Sequence, residues 1–276
     1  MLIIPVILWL YWADSSIVLK PETTSSEIPE KSATSQVVEL PAVWGDLGAQ
    51  MVATGIIDQV KFEALYAERG GLTDVEKQFL VGRVDGNIVV TQENSNFILN
   101  LFWALGLGNK NVILEKGQMS NPQFGGVGRF ASTGGWSLAK GDPMKYYSAH
   151  PFITLTTGQQ TLVERVSGNI YRPCCDNPTH FPDCNHGMAM LGFLELMAAQ
   201  GVAEKEMYRA ALVMNTLWFP DEYGILRAYF ETQGALPDAV DPAVVLGASY
   251  SSASGFDRVQ ASLQQFEPAQ GGSCSA

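Results

Sequence analysis

The stretch 97–107 is apolar on nearly every side when it is wound as a helix, and it constrains the fold more than any other part of the sequence. A helix without a polar face has to be surrounded by other elements, so this one is predicted to lie at the centre of the fold. It is far shorter than the roughly 20 apolar residues that cross a membrane. The amide of Asn100 needs hydrogen-bond partners if it is buried, and we expect it to tie a neighbouring loop to the helix.

Helical signals recur on both sides of this segment. Asp58 can cap a helix that starts after it, and the stretches 73–76 and 157–160 have the Thr-x-x-Glu/Gln pattern of a capping box. Apolar residues at helical spacing run over 207–218 and end before Pro220. Strand signals are limited to 87–91 and 152–155, and neither stretch has an obvious hairpin partner. The sequence therefore predicts a mainly α fold.

We divide the chain into four segments: a hydrophobic signal-like or anchor-like segment at 1–19, a Ser/Thr/Glu/Pro linker at 20–39, a single helical globular domain at 40–266 and a flexible tail at 267–276. The apolar run within the first segment has the length of a signal-peptide core, although no Lys or Arg precedes it. The alternative is that this apolar run is a buried strand or helix of the globular domain. The polar linker favours the first interpretation, so we expect an exported or membrane-tethered, extracytoplasmic protein.

The charge balance limits the partners. The chain has 17 Lys and Arg against 28 Asp and Glu, a formal net charge of −11. Binding to nucleic acid requires clustered basic residues that neutralise phosphates, and no such cluster occurs. Nucleic acid is therefore excluded as a partner, and a protein or small-molecule partner stays unidentified.

A long glycine-rich loop at 117–141 interrupts the helical pattern. Loops of this length inside a compact domain are usually functional or mobile. We expect this one to wrap the domain and cover a neighbouring site. Arg129 is its candidate anion contact, although an arginine that satisfies loop carbonyls is the more ordinary role.

The distinctive chemistry lies at 174–186, which holds three of the four cysteines and two of the three histidines. Thiolates and imidazoles are the ligands that bind zinc, copper(I) and iron–sulfur units. The sequence therefore predicts a metal ion, zinc or copper with an iron–sulfur unit as a further option. The candidate ligands are Cys174, Cys175, Cys184 and His186, with His180 in reserve. The spacing is not that of a zinc finger.

Two alternatives use the same cysteines without a metal. In an exported protein, a disulfide from Cys184 to Cys174 or Cys175 could staple the loop of a helical interaction domain, although an odd thiol would be left over. A thiol enzyme is the other alternative, because Cys184 stands near a predicted helix start, where the helix dipole lowers the pKa of a thiol. His150 would then be the base.

An Asp residue would be needed to orient His150 in that enzyme, and Asp176 and Asp183 are the two candidates near Cys184. No cysteine-protease signature surrounds Cys184.

Overall fold

A computed structural model describes residues 37–266, which belong to one compact unit of the chain. The predicted signal or anchor segment at 1–19, most of the predicted linker and the predicted tail at 267–276 lie outside the described residues. The mainly α class is confirmed, since 58% of the residues within 37–266 are helical. Within 37–266, no helix has the length and the hydropathy needed to cross a bilayer.

The elements follow one another along the chain as two strands and a series of helices. They are β1 (Val38–Gly45), α1 (Leu47–Thr54), α2 (Gln59–Ala67), α3 (Asp74–Val81), β2 (Val84–Val90), α4 (Ser95–Gly108), α5 (Val112–Lys116), α6 (Thr157–Ser167), α7 (Asn185–Ala199), α8 (Glu204–Trp218), α9 (Pro220–Thr232), α10 (Pro242–Val245), α11 (Ala248–Ser251) and α12 (Ala253–Phe266). Short 3₁₀ turns occupy much of the region between α5 and α6.

The centre of the fold is the crossing of α4 and α7. The predicted central helix at 97–107 is confirmed, because α4 is buried along almost its whole length. A Cβ on Gly192 would lie 2.5 Å from the carbonyl oxygen of Phe102 and 2.6 Å from the backbone nitrogen of Gly106, so only glycine permits this approach. The rings of Phe102 and Phe193 stack at 4.6 Å beside the crossing.

Asn100 is tied to a helix rather than to a loop. Its Nδ2 donates to the hydroxyl of Tyr66 on α2 at 2.8 Å. The expectation of a loop partner was wrong because α2 packs directly against α4, where Phe62 and Tyr66 contact the ring of Phe97.

The helix starts agree closely with the capping signals. Asp58 accepts hydrogen bonds from the backbone of residues 60 and 61 at the start of α2, and Thr73 with Glu76 forms the predicted capping box. The second box is made by Thr156 and Gln159, one residue earlier than predicted. Both registers fit the pattern, and Thr156 is selected because its backbone is extended while Thr157 is already helical.

The strands form a single antiparallel pair. The prediction at 87–91 falls on β2, and its partner is β1, with Val38 opposite Val90 and Val43 opposite Asn87. The two strands are far apart in sequence, which is why no hairpin signal accompanies them. β1 begins at Val38, inside the stretch predicted as linker. The predicted strand at 152–155 is wrong, since its backbone hydrogen-bonds to a side chain: Ile153 N donates to Asn109 Oδ1.

A buried carboxyl group on α7 holds the loop that follows α4. Glu195 is fully buried, and its two oxygens accept from Asn109 Nδ2 at 2.7 Å and from Asn111 Nδ2 at 2.6 Å. None of the ion pairs within 37–266 includes this carboxyl group. Burial raises its pKa from 4.5 to about 8, against the opposing effect of the two amide donors.

Candidate metal centre

Residues 168–184 connect α6 to α7 and contain Cys174, Cys175 and Cys184; we call them the cysteine segment. The segment folds around the guanidinium of Arg172. This side chain is only 1% exposed. Its Nη1 donates to the carbonyl oxygen of Asn177 at 3.0 Å, its Nη2 to Asp183 Oδ1 at 2.8 Å and its Nε to Cys184 Sγ at 2.9 Å. A buried charge has to be paired and hydrogen-bonded, so these contacts fix the shape of the loop.

The first turn of α7 is adapted to this arginine. A Cβ on Gly187 would collide with the Arg172 guanidinium, so glycine at this position lets the charge approach the helix start. Cys184 is the N-cap residue of α7, as expected, and its Sγ accepts from the backbone nitrogen of Gly187 at 3.4 Å. The sulfur therefore accepts from an arginine and from a backbone N–H of the first turn of α7 at once.

Cys184 is the one cysteine within 37–266 whose pKa is lowered rather than raised. Hydrogen bonds from the thiols of Cys174 and Cys175, together with the charge of Arg172, lower the pKa of Cys184 far below its usual value. Hydrogen bonding to Cys175 and Cys184 raises the pKa of the Cys174 thiol. These opposite shifts favour a thiolate at Cys184 over one at Cys174.

Three candidate ligand atoms converge at the surface end of α7. Cys174 Sγ lies 3.5 Å from Cys184 Sγ and 4.0 Å from His186 Nδ1, and the three atoms are all within 4.8 Å of one another. Cys175, Asp183 and Cys184 form a second group of three candidate ligands, which shares Cys184 with the first group. Cys174, Cys175, Cys184 and His186 therefore form a Cys/His cluster whose geometry could hold a metal ion.

Aromatic side chains flank the imidazole of this cluster. The ring of His186 lies 4.5 Å from that of Phe219 and 5.7 Å from that of Trp218, at the junction of α8 and α9. These contacts restrict the ring of His186 while its Nδ1 faces Cys174.

The other predicted histidines and acids lie elsewhere. His180 belongs to neither ligand group within 37–266, and its backbone nitrogen donates to the carbonyl oxygen of Ser167. His150 has the rings of Tyr146 and Phe152 as neighbours, at 6.1 and 5.1 Å. The reserve ligand and the predicted base are therefore not brought into the cluster.

The predicted acids have structural partners instead of a histidine. Asp183 pairs with Arg172, and Asp176 accepts from the backbone nitrogen of Ser254 at the start of α12. A Cys184–His150–Asp arrangement is therefore not assembled. The cysteine segment instead anchors α12, since the carbonyl oxygen of Cys175 also accepts from the backbone of residue 253 at 3.0 Å.

The glycine-rich loop contacts the cysteine segment near its end at 181–183. Its Ser132 backbone nitrogen donates to the carbonyl oxygen of Asp183 at 3.2 Å. The rings of Phe124 and Phe130 pack on Phe181 at 5.2 and 5.6 Å. Arg129, the candidate anion contact, is exposed, and its guanidinium lies over Gly125.

Sequence reasoning missed two residues of this region. Arg172 organises the loop, and its signal was present: it is the one Arg or Lys over 171–184, a stretch that also holds two Asp and three Cys. Ser132 is the other, since its fully buried hydroxyl has no hydrogen-bond partner within 37–266. Its backbone oxygen accepts from Trp103 Nε1 at 2.6 Å, which fixes its position.

All cysteines within 37–266 are free thiols in this structure. Comparison with known proteins finds no family model, no curated protein and no solved structure that matches the chain.

Proposed function

We propose that this protein binds one zinc or copper(I) ion through Cys174, Cys184 and His186. The observation that carries the proposal is the convergence of two sulfurs and one imidazole nitrogen. Two sulfurs in a tetrahedral zinc site lie about 3.8 Å apart, and a sulfur and a nitrogen about 3.6 Å apart. The observed separations of 3.5 and 4.0 Å differ from these values by a few tenths of an ångström, which small side-chain rotations supply.

The charges of the cluster favour zinc as the first choice. Two thiolates and a neutral imidazole balance a divalent cation, and the nearby Arg172–Asp183 pair is neutral as a unit. Copper(I) also prefers thiolates, and it would leave one negative charge beside Arg172. An iron–sulfur unit needs further thiolates beyond the two of this ligand set.

Cys175 is the candidate for the fourth ligand. Its Sγ now lies 3.7 Å from Asp183 Oδ1 and 3.9 Å from the carbonyl oxygen of Asn177. With Cys175 bound the site has four protein ligands, as structural zinc sites do. Without Cys175 the site has three protein ligands and one open position, as catalytic zinc sites do.

The test is a competition titration with zinc against a chromophoric chelator, followed by cobalt(II) absorption as a report of thiolate ligation. We expect one zinc per full-length chain, and a loss of affinity of at least tenfold in each of Cys174→Ser, Cys184→Ser and His186→Ala. His180→Ala and Cys274→Ser are the matched controls and should bind like the parent chain. Unchanged affinity in the first three variants, or an equal loss in the controls, would overturn the proposal.

The location of the protein belongs to the proposal as well. The composition of residues 1–39 supports export or a membrane tether. Fractionation of cells that express the full chain should place it in the membrane or the extracytoplasmic fraction. Recovery in the cytosolic fraction alone would contradict this part of the proposal.

A further inference from the structure

The sulfurs of Cys174 and Cys184 have a second property that metal binding does not require. They are 3.5 Å apart as free thiols, although they are ten positions apart in sequence. Formation of a bond of about 2.0 Å between them needs a movement of roughly 1.5 Å, which is within the range of side-chain rotation. The loop between them is already closed by Arg172, so little backbone rearrangement is required.

The two sulfurs differ in environment as the two sulfurs of a disulfide-exchanging pair do. Cys184 Sγ accepts from the Arg172 guanidinium at 2.9 Å and from a helix N-terminal backbone N–H, and both contacts stabilise a thiolate. Cys174 is exposed to solvent and has no basic side chain among its hydrogen-bond partners within 37–266 other than the His186 ring. One sulfur therefore suits the nucleophile and the other the resolving thiol.

We infer that Cys184 and Cys174 form a reactive dithiol that reduces low-molecular-weight disulfides, with Cys184 as the attacking sulfur. The activity is independent of the proposed metal function, although it uses two of the same ligands.

The reaction proceeds in two balanced steps. The Cys184 thiolate attacks one sulfur of a disulfide RSSR, which forms a Cys184–SR bond and releases RS⁻ as the original S–S bond breaks. The released thiolate takes the proton of Cys174, and the Cys174 thiolate then attacks Cys184 Sγ. A Cys174–Cys184 disulfide forms and the second RS⁻ leaves. The protein loses two electrons, and RSSR gains them.

Cys175 is not the resolving thiol in this scheme. Its Sγ faces Asp183 Oδ1 and the carbonyl oxygen of Asn177, and its backbone carbonyl is held by the start of α12. Cys174 Sγ instead lies 3.5 Å from Cys184 Sγ and 4.0 Å from His186 Nδ1.

Oxidation and metal binding exclude each other. The Cys174–Cys184 disulfide removes both thiolate ligands, and the imidazole that is left cannot hold zinc alone. Stoichiometric zinc should therefore protect the thiols from RSSR, and forced oxidation should release the zinc.

The experiment is a reaction of metal-free, full-length chain carrying Cys274→Ser with glutathione disulfide, followed by peptide mass mapping. We expect a Cys174–Cys184 disulfide and two glutathione molecules released per chain. Adding Cys174→Ser should trap a glutathione adduct on Cys184. Adding Cys184→Ser should slow the reaction at least tenfold; serine keeps the N-cap of α7, so this variant should fold. Adding His180→Ala is the control, since His180 belongs to neither ligand group, and should leave rate and product unchanged.

Several results would overturn the inference: first modification at Cys174 or Cys175, a disulfide that includes Cys175, or equal rates with and without Cys184. The outcome is separable from that of the zinc titration. Zinc binding without disulfide formation would refute the dithiol alone, and disulfide formation without zinc binding would refute the metal site alone.

Discussion

Replacement of Glu195 by Gln should change the stability of the protein in opposite directions at low and high pH. The carboxyl group is fully buried between two side-chain amides whose oxygen and nitrogen atoms cannot exchange places. Asn109 Oδ1 accepts from Ile153 N at 2.8 Å, and Asn111 Oδ1 accepts from Ile113 N at 2.9 Å, so both Nδ2 groups must face residue 195. A glutamine at this position would therefore place its NH₂ group, a donor, against one of these two Nδ2 donors.

The magnitude follows from the pKa of Glu195, which is raised from 4.5 to about 8. Between these pH values the native carboxyl keeps a proton that the unfolded chain loses, so the free energy of unfolding falls as pH rises. At about 1.4 kcal/mol per pKa unit, the total fall is about 5 kcal/mol. Glutamine removes this dependence, and its unsatisfied donor costs about 1–3 kcal/mol at every pH.

The assay is urea denaturation of wild type and Glu195→Gln near pH 5 and pH 9, with chelator present. The variant should be less stable by up to about 2 kcal/mol near pH 5, where the unfolded carboxyl has begun to lose its proton, and more stable by about 2–4 kcal/mol near pH 9. Glu68→Gln makes the same chemical change at an exposed position and serves as the control. Equal destabilisation at both pH values would refute the reasoning, because the two amides would then hold the carboxylate without a desolvation cost.

Three further substitutions test the packing and the caps. Gly192→Ala should lower stability by about 3 kcal/mol, because its Cβ would meet backbone atoms of α4, and the midpoint of thermal unfolding should fall by roughly 6–12 °C; an unchanged midpoint would contradict the close crossing. Ser132→Ala should raise the free energy of unfolding by about 1 kcal/mol in denaturant titration, since it removes a buried hydroxyl without a partner, and a loss would reveal a partner. Thr73→Ala should cost about 1 kcal/mol in the same assay through loss of the capping box, with Val75→Ala as a nearby exposed control.

The fold was predictable where interactions between residues close in sequence determine it. The position of α4 follows from an apolar surface on all sides, and Thr73 marks a helix start through its own side chain. The register of α6 was not decided locally, because Thr156 and Thr157 both begin an acceptable capping box. The pairing of β1 with β2 depends on contacts between residues 39 to 52 positions apart, which no turn signal records.

The residue types of the site were predictable from the sequence, but which of those residues come together was not. Clustered thiols and imidazoles identify 174–186 from the sequence alone. Which imidazole joins them is decided by the loop conformation, which puts His186 at the start of α7 and leaves His180 bound through its backbone to α6. That conformation is set by the buried charge of Arg172, a tertiary interaction that spacing does not reveal.

The most direct test of the central claim is X-ray absorption spectroscopy at the zinc edge on the full chain loaded with one equivalent of zinc. The ligand set of Cys174, Cys184 and His186 predicts at least two sulfurs at about 2.3 Å and one imidazole nitrogen at about 2.0–2.1 Å. Cys184→Ser should remove one sulfur from this shell. A shell made only of oxygen and nitrogen, unchanged by that substitution, would contradict the account.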